Sequence, residues 1–459
     1  MADPARPEPL GRDAGALTTA HLLPGLRGRS LRGGAAVLAA QSGQVVLNLA
    51  ATVVLARLLT PADFGLVAMV AAVTGFLGLL QNPGLTAVIV QRPHLSQGQV
   101  STLFWVVLGL GTGLALLVTA GAPAIAGLYG DPRLTGIALA AAPVFAIRAS
   151  AAQHRALLTR QMRLAELAGA DLLALTAAIA VAILLALLGA GYWALALMPA
   201  VQAGAVASAL WRASDWRPGM PERGAGVEPL LRFGADLTAV AVLDYLARQV
   251  DRIGIGLLHG AAPLGYYTRG QQLAMLAASQ LTSPLYNVIV PALSRLADDR
   301  LRYRRWFHWS LALVGWLAAA MAAAAAVLAP LLVALVFGEQ WQPVAGLLRK
   351  LAPLMALQPL SCAAGWVFAS RGEGGRYRRW ALVAAGLRVA ALLLALPFGP
   401  GAVALALSLV TGLLVAPWTL RCLHRADPAL AGAALRALLP PWIAAAAAAA
   451  VAAGNGLWL

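Results

Sequence analysis

Apolar runs of about 20 residues alternate with short polar breaks along nearly the whole chain, and a run of roughly that length crosses the hydrocarbon core of a bilayer as a helix. Such runs fall near 34–56, 64–90, 100–120, 134–152, 166–188 and 191–211. A second set falls near 233–258, 265–290, 306–328, 343–369, 380–397 and 401–420, and a further run near 436–453. The breaks repeat with the runs. Val88-Ile89-Val90 returns as Val288-Ile289-Val290, with Gly65 and Leu85 matched by Gly265 and Leu285. Ala122-Pro123 before Tyr129-Gly130-Asp131 is echoed by Ala329-Pro330 before Phe337-Gly338-Glu339. Gly189, Gly191 and Ala194 to Leu197 match Gly399, Gly401 and Ala404 to Leu407 at an offset of 210 (399 − 189). The pattern predicts an all-α polytopic membrane protein built of two homologous six-helix lobes, with one extra helix at the C-terminal end.

The polar breaks differ in charge by turns. Arg27, Arg29 and Arg32, then Arg92, then Arg155, Arg160 and Arg163, then Arg212, Arg217 and Arg223 fall on one side. Arg295, Arg300, Arg302, Arg304 and Arg305 continue that series, followed by Arg371, Arg376, Arg378 and Arg379 and by Arg421 and Arg425. Basic loops stay in the cytoplasm, which places the N-terminus there and gives both lobes the same orientation, a parallel duplication. Arg57, Arg133, Arg349 and Lys350 fall on or near the opposite side. The expected layout is a disordered cytoplasmic tail over 1–33, an N-lobe over 34–211 and a flexible Pro/Gly-bearing linker over 212–232. A C-lobe over 233–423 and an additional helix over 436–453 complete it.

Composition agrees with burial in lipid: 60% of the 459 residues are hydrophobic and 11% charged, with a mean hydropathy of +0.76. The net charge of +16 is accounted for by topology and contact with anionic membrane lipids, and no nucleic-acid partner is expected. The tail lacks the apolar core of a cleavable signal peptide. The six histidines lack paired metal-ligand spacing, and Cys362 and Cys422 sit in or beside apolar runs, so neither a metal centre nor a disulfide is expected. Gly109, Gly111 and Gly113 lie inside a span, where close helix packing explains them better than nucleotide binding. There is no phosphate-binding loop for a nucleotide, so no cofactor is expected. The available energy sources are an ion gradient such as H+ or Na+, the membrane potential, or the substrate's own gradient.

The most charged span is the seventh, where Asp236, Asp244, Arg248, Asp251 and Arg252 interrupt an apolar run. Ionisable residues within a span are costly unless they face a protein interior or a wet cavity. Asp244, Arg248, Asp251 and Arg252 follow one another at helical spacing and share one face. Two readings stand: a salt-bridge ladder that fixes one lobe, or a site where Arg248 and Arg252 donate to a diphosphate while Asp244 and Asp251 balance them or hold a coupling cation. The corresponding first span carries only Gln41, Gln44 and Asn48. Arg57 and Arg148 are further candidates, each also explicable as a helix end near an interface. Arg269, after Tyr266-Tyr267, is a candidate whose plainer account is snorkelling. Glu166 and Asp171 form a possible proton site, or else reach cytoplasmic water.

The segment Leu55 to Leu66 (LARLLTPADFGL) resembles that following the first span of polysaccharide transporters, the Wzx-type flippases. Gly84 to Arg92, Leu157 to Arg163, Asp251 to Gly256, Leu264 to Tyr267 and Pro291 to Leu296 are similar to later segments of that family. The resemblance implies the multidrug/oligosaccharidyl-lipid/polysaccharide exporter superfamily, with two six-helix lobes around a central cavity. It also implies a non-enzymatic function: moving undecaprenyl-diphosphate-linked oligosaccharide from the cytoplasmic to the periplasmic leaflet of the bacterial inner membrane by alternating access. A polysaccharide polymerase and glycosyltransferases would be its partners in the pathway. A cation-coupled multidrug antiporter and a lipid II flippase share the architecture and remain alternatives. Asp251 fits the family pattern, and the first span lacks matching charge, so the expected site weighs on the second lobe.

Overall fold

The computed structural model describes residues 26–81, 89, 95–222, 245 and 249–454. It divides into two compact units, Met1–Arg248 and Gln249–Leu459. Among the described residues 11 helices are long and apolar enough to cross a membrane.

The first unit contains α1 (Leu26–Leu58), α2 (Pro61–Gln81), α3 (Gln97–Tyr129), α4 (Arg133–Arg160), α5 (Leu164–Leu187) and α6 (Trp193–Ala213). Helix α1 begins at Leu26, inside the stretch expected to be a tail. Thr60 and Asp63 organise the start of α2. The Thr60 hydroxyl donates to Asp63 Oδ2 at 2.7 Å and accepts from the Asp63 N–H at 3.3 Å, while Pro61 occupies the first helical turn, where its missing N–H costs little. Ser96 and Gln99 form a capping box on α3, satisfying two of the N–H groups that a helix start leaves open.

The second unit contains α7 (249–259 as described), α8 (Ala261–Arg295), α9 (Arg300–Val327), α10 (Ala329–Val336), α11 (Pro343–Ser370) and α12 (Gly374–Ala395). Helix α13 (Pro400–Val410) passes through a π-helical turn at Thr411–Val415 into α14 (Ala416–Ala426), and α15 (Pro428–Gly454) follows. Its core is formed by Tyr303, Phe307 and Leu311 of α9, Trp366 and Phe368 of α11, and Leu430 and Leu438 of α15. Helix α15 starts eight residues before the apolar run expected at 436–453 (436 − 428). Asp427 is the reason: its carboxylate accepts from the Ala429 N–H at 3.0 Å and pairs with Arg304 at 2.8 Å, so the chain turns directly from α14 into α15.

The repeat is visible in the turns. Left-handed backbone occurs at Gly130 and its counterpart Gly338, and at Gly189 and Gly399. The two Ala-Pro pairs behave differently. Pro123 lies inside a continuous α3, so the break expected after 120 does not occur. Pro330 instead opens the short helix α10, the first-turn position at which proline displaces no helical hydrogen bond.

Residues 214–222, expected to belong to a flexible linker, are held along the start of α3. Trp216 is fully buried and donates its indole N–H to Gln97 Oε1 at 2.6 Å. The Gly219 N–H donates to Ser101 Oγ at 3.0 Å, the Trp105 indole to Gly219 O at 2.8 Å, and the Glu222 N–H to Thr102 Oγ1 at 3.0 Å. Side chains of α3 thus satisfy the strap's backbone groups, and burial of an indole anchors it. The rest of the expected linker, 223–232, lies outside the described residues.

Candidate substrate-binding residues in the two helical units

The first unit holds a cavity of about 370 Å³ among α2, α4, α5 and α6. Gly78 and Gln81 line it from α2, Arg148 and Arg155 from α4, Asp171 from α5 and Gln202 from α6. Arg155 and Asp171 form a bidentate pair, with Nη1 donating to Oδ2 at 3.0 Å and Nη2 to Oδ1 at 2.5 Å. Fork-to-carboxylate geometry is the stronger arrangement of such pairs. Arg148 lines the same space two helical turns before Arg155, and no ion pair or hydrogen bond ties it to another described residue. Among the described residues its charge therefore lines the cavity without a direct ion-pair partner. Gln81 donates to Phe145 O, joining α2 to α4 at the cavity edge.

Of the three glycines expected to serve close packing, one does so. A Cβ on Gly111 would collide with Ala149 and the Phe145 carbonyl, whereas Gly109 and Gly113 face open space. Gly111 thereby lets α3 approach α4 beside the cavity wall.

In the second unit, Asp251 of α7 is buried, with 3% exposure. Its carboxylate accepts from the Tyr267 hydroxyl at 2.8 Å and from Gln271 Nε2 at 3.0 Å, both on α8, and from the Arg252 N–H at 2.8 Å. Gln271 also accepts from Arg252 Nη2 at 3.2 Å. A single glutamine thus ties the aspartate and the arginine together. The described part of the expected Asp-Arg ladder is therefore held by a tyrosine and a glutamine, because α8 packs against the face that carries Asp251. Asp236, Asp244 and Arg248 lie outside the described residues. Arg252 keeps its Nε without a hydrogen bond although that atom is buried. Arg269 donates to Gln272, one turn along α8, and lies close enough to Arg252 for the two charges to repel.

The remaining sequence candidates separate. Arg57 occupies the last turn of α1, where a cation complements the helix dipole. Glu166 pairs with Arg163 at 2.6 Å at the start of α5, whereas Asp171 enters the cavity. Among the described residues polar and charged groups line the interior of both units. Arg155, expected on a basic loop, lies within α4 and lines the cavity. The pair Arg155–Asp171 spans 16 residues and two helices, a separation without a local sequence signal. Tyr267 and Gln271 do have one: they stand one helical turn apart next to Arg269.

Spans that keep ionised and amide side chains inside the protein define a polytopic, helical membrane architecture among the described residues. Residues 54–346 match the model of a family described as "Polysaccharide biosynthesis protein", and the chain belongs to that family. It is 27% identical over 312 residues to the lipopolysaccharide biosynthesis protein WzxC of Escherichia coli (strain K12), covering 66% of this chain and 62% of that protein. It therefore spans less than two thirds of that relative's length. Identity to the succinoglycan biosynthesis transport protein ExoT of Rhizobium meliloti (strain 1021) is 26% over 348 residues, 75% of this chain and 70% of that one. Among solved structures, the lipid II flippase MurJ in an inward closed conformation matches with a TM-score of 0.68 over 89% of this chain and 91% of its own, at 11% identity. An inward-facing multidrug resistance MATE family transporter of the MOP superfamily matches with a TM-score of 0.55 over 88% and 95%, at 15% identity. The fold is the one these two transporters share.

Proposed function

We propose that this chain is an inner-membrane flippase that carries undecaprenyl-diphosphate-linked oligosaccharide from the cytoplasmic to the periplasmic leaflet by alternating access, with its N-terminus in the cytoplasm. The observation that carries the reading is the cavity of the first unit, where Arg148 lines the space among membrane-spanning helices with no ion-pair partner among the described residues. A lipid-linked glycan needs this chemistry. Its polyprenyl tail remains in lipid while a diphosphate and sugars cross, and guanidinium groups donate several hydrogen bonds to such an anion. Gln81 and Gln202 suit sugar hydroxyls, since an amide both donates and accepts. Arg252 and Arg269 are the matching cations of the second unit, with Asp251, Tyr267 and Gln271 as positioning residues for Arg252. Asp171 is the carboxylate through which an H+ or Na+ gradient would couple. No covalent step is required, so the protein acts as a transporter, supplied by glycosyltransferases and emptied by a polysaccharide polymerase.

The test is transfer of a fluorescent undecaprenyl-diphosphate oligosaccharide across liposomes containing the purified chain, read by quenching with an impermeant reductant. The chain raises the rate above that of empty liposomes, and Arg148→Ala lowers it about tenfold, the value of one charge-assisted hydrogen bond. Export of cationic drugs with no glycan transfer would replace this reading with the antiporter.

A further inference from the structure

Helix α9 carries an exposed face that the rest of the fold leaves uncovered. Trp306 is 52% exposed, Trp309 67%, Leu313 54% and Trp316 50%, and these positions recur at three- and four-residue intervals along one side of the helix. Arg302 and Arg305 stand one turn before Trp306 and Trp309 on the same exposed side. Arg302 meets Asp299 through Nε at 3.3 Å, while Arg305 forms no ion pair or hydrogen bond among the described residues.

The duplicated half shows what a covered version looks like. Trp105 and Trp309 share a register with Gly111 and Gly315 (309 − 105 = 204; 315 − 111 = 204). In the first unit the strap lies over this face, and the Trp105 indole donates to Gly219 O at 2.8 Å. Among the described residues no strap lies over this face in the second unit. Its chain returns along α9 as α15, on the side of Gly315 and His308. The indole N–H groups of Trp306 and Trp309 have no acceptor among the described residues and can donate to a group outside the fold, as an indole at a bilayer interface does. The cationic first turn is also absent from α3, which begins with Gln97, Gln99, Ser101 and Thr102.

We infer that the start of α9 is a binding site for an anionic phospholipid of the surrounding bilayer. Arg302, Arg305 and the Trp306 and Trp309 indoles donate to the headgroup phosphate, and the acyl chains lie over Leu313 and Trp316. The charge complementarity selects an anionic headgroup, and the helical rise carries the aromatic row about 15 Å from Trp306 to Trp316, the depth of one leaflet's hydrocarbon. An aromatic belt confined to the headgroup level would not reach Trp316.

Native mass spectrometry of the full chain, purified in detergent and offered phosphatidylglycerol or phosphatidylcholine, tests this without any transport substrate. Phosphatidylglycerol is retained in preference. The double change Arg302→Gln/Arg305→Gln lowers its retention about 30-fold, roughly fivefold for each surface arginine. Trp309→Phe, which keeps the ring and removes the N–H, lowers it about fivefold. Arg378→Gln/Arg379→Gln, which removes equal charge elsewhere, leaves it unchanged, and unaltered thermal unfolding confirms that the α9 variants are folded. Equal retention of the two lipids, an equal loss in the Arg378/Arg379 variant, or preference for a polyprenyl phosphate over phosphatidylglycerol would each overturn the site.

Discussion

Met162 and Gly372 stand at the same point of the duplicated fold (372 − 162 = 210), and both adopt left-handed backbone, with φ of 58° and 69°. The surrounding bonds are equivalent. The Arg163 N–H donates to Leu158 O at 3.0 Å and the Glu373 N–H to Phe368 O at 2.9 Å. Each closes the six-to-one bond that ends a helix with a left-handed residue. The turns after α4 and α11 are thus one device, built with glycine in one unit and with a strained methionine in the other.

Met162→Gly should stabilise the first unit by about 0.5–1 kcal/mol, since the left-handed conformation costs a residue with a Cβ about 1–2 kcal/mol and the gain is reduced by glycine's greater freedom in the unfolded chain. Gly372→Ala should destabilise the second unit by about 1 kcal/mol. Thermal unfolding followed by tryptophan fluorescence reads both, and a lower midpoint for Met162→Gly would contradict the account.

Tyr267→Phe removes a donor from a buried carboxylate and leaves the ring in place. It should cost about 1–3 kcal/mol, the penalty of an unsatisfied buried acceptor. Asp251→Asn in the same background should recover part of that loss, because a neutral amide tolerates the missing donor better than a carboxylate does. A double-mutant cycle in chemical unfolding measures the coupling, and strict additivity would show that the two side chains do not interact.

Asp427 ties α15 to α9 and α11. Burial alone would raise its pKa, but hydrogen bonds from Arg304 and the Ala429 N–H and the charges of Arg304 and Arg371 bring it below the ordinary value of 3.8. A carboxylate depressed on folding stabilises above its unfolded pKa, and the contribution disappears as pH falls through the folded value. Asp427→Asn should therefore lower stability by about 1 kcal/mol at pH 7, the scale of a partly solvent-screened pair. The gap to the parent protein should close below pH 3.8. A gap that persists there would assign the effect to packing.

Much of the architecture was legible beforehand because it rests on local quantities. Span length follows from bilayer thickness, and the repeat register follows from Gly, Pro and acidic residues at turns whose backbone admits few alternatives. Within Leu55 to Leu66, the segment of the family resemblance, Thr60, Pro61 and Asp63 form a capping arrangement within four residues of chain. Other features were misread for equally physical reasons. The Pro/Gly content after Arg212 suggests freedom, but Trp216 and the Gly219 backbone find partners about 120 residues away on α3, and no local pattern announces a partner at that distance.

Hydrophobic periodicity and turn glycines were sufficient for the helical class and the duplication, and the resemblance of short segments such as Leu55 to Leu66 for the family, since each depends on neighbours a few residues apart or on the thickness of a membrane. The partners of the buried charges depended on packing. Asp251 reads in the chain as a partner for arginine, and among the described residues its side chain meets Tyr267 and Gln271 of another helix. Asp171, isolated in an apolar run, meets Arg155 from another helix. Placing an ionised group among membrane spans is costly until a complementary group reaches it, and which group does so is set by the helix faces that come into contact.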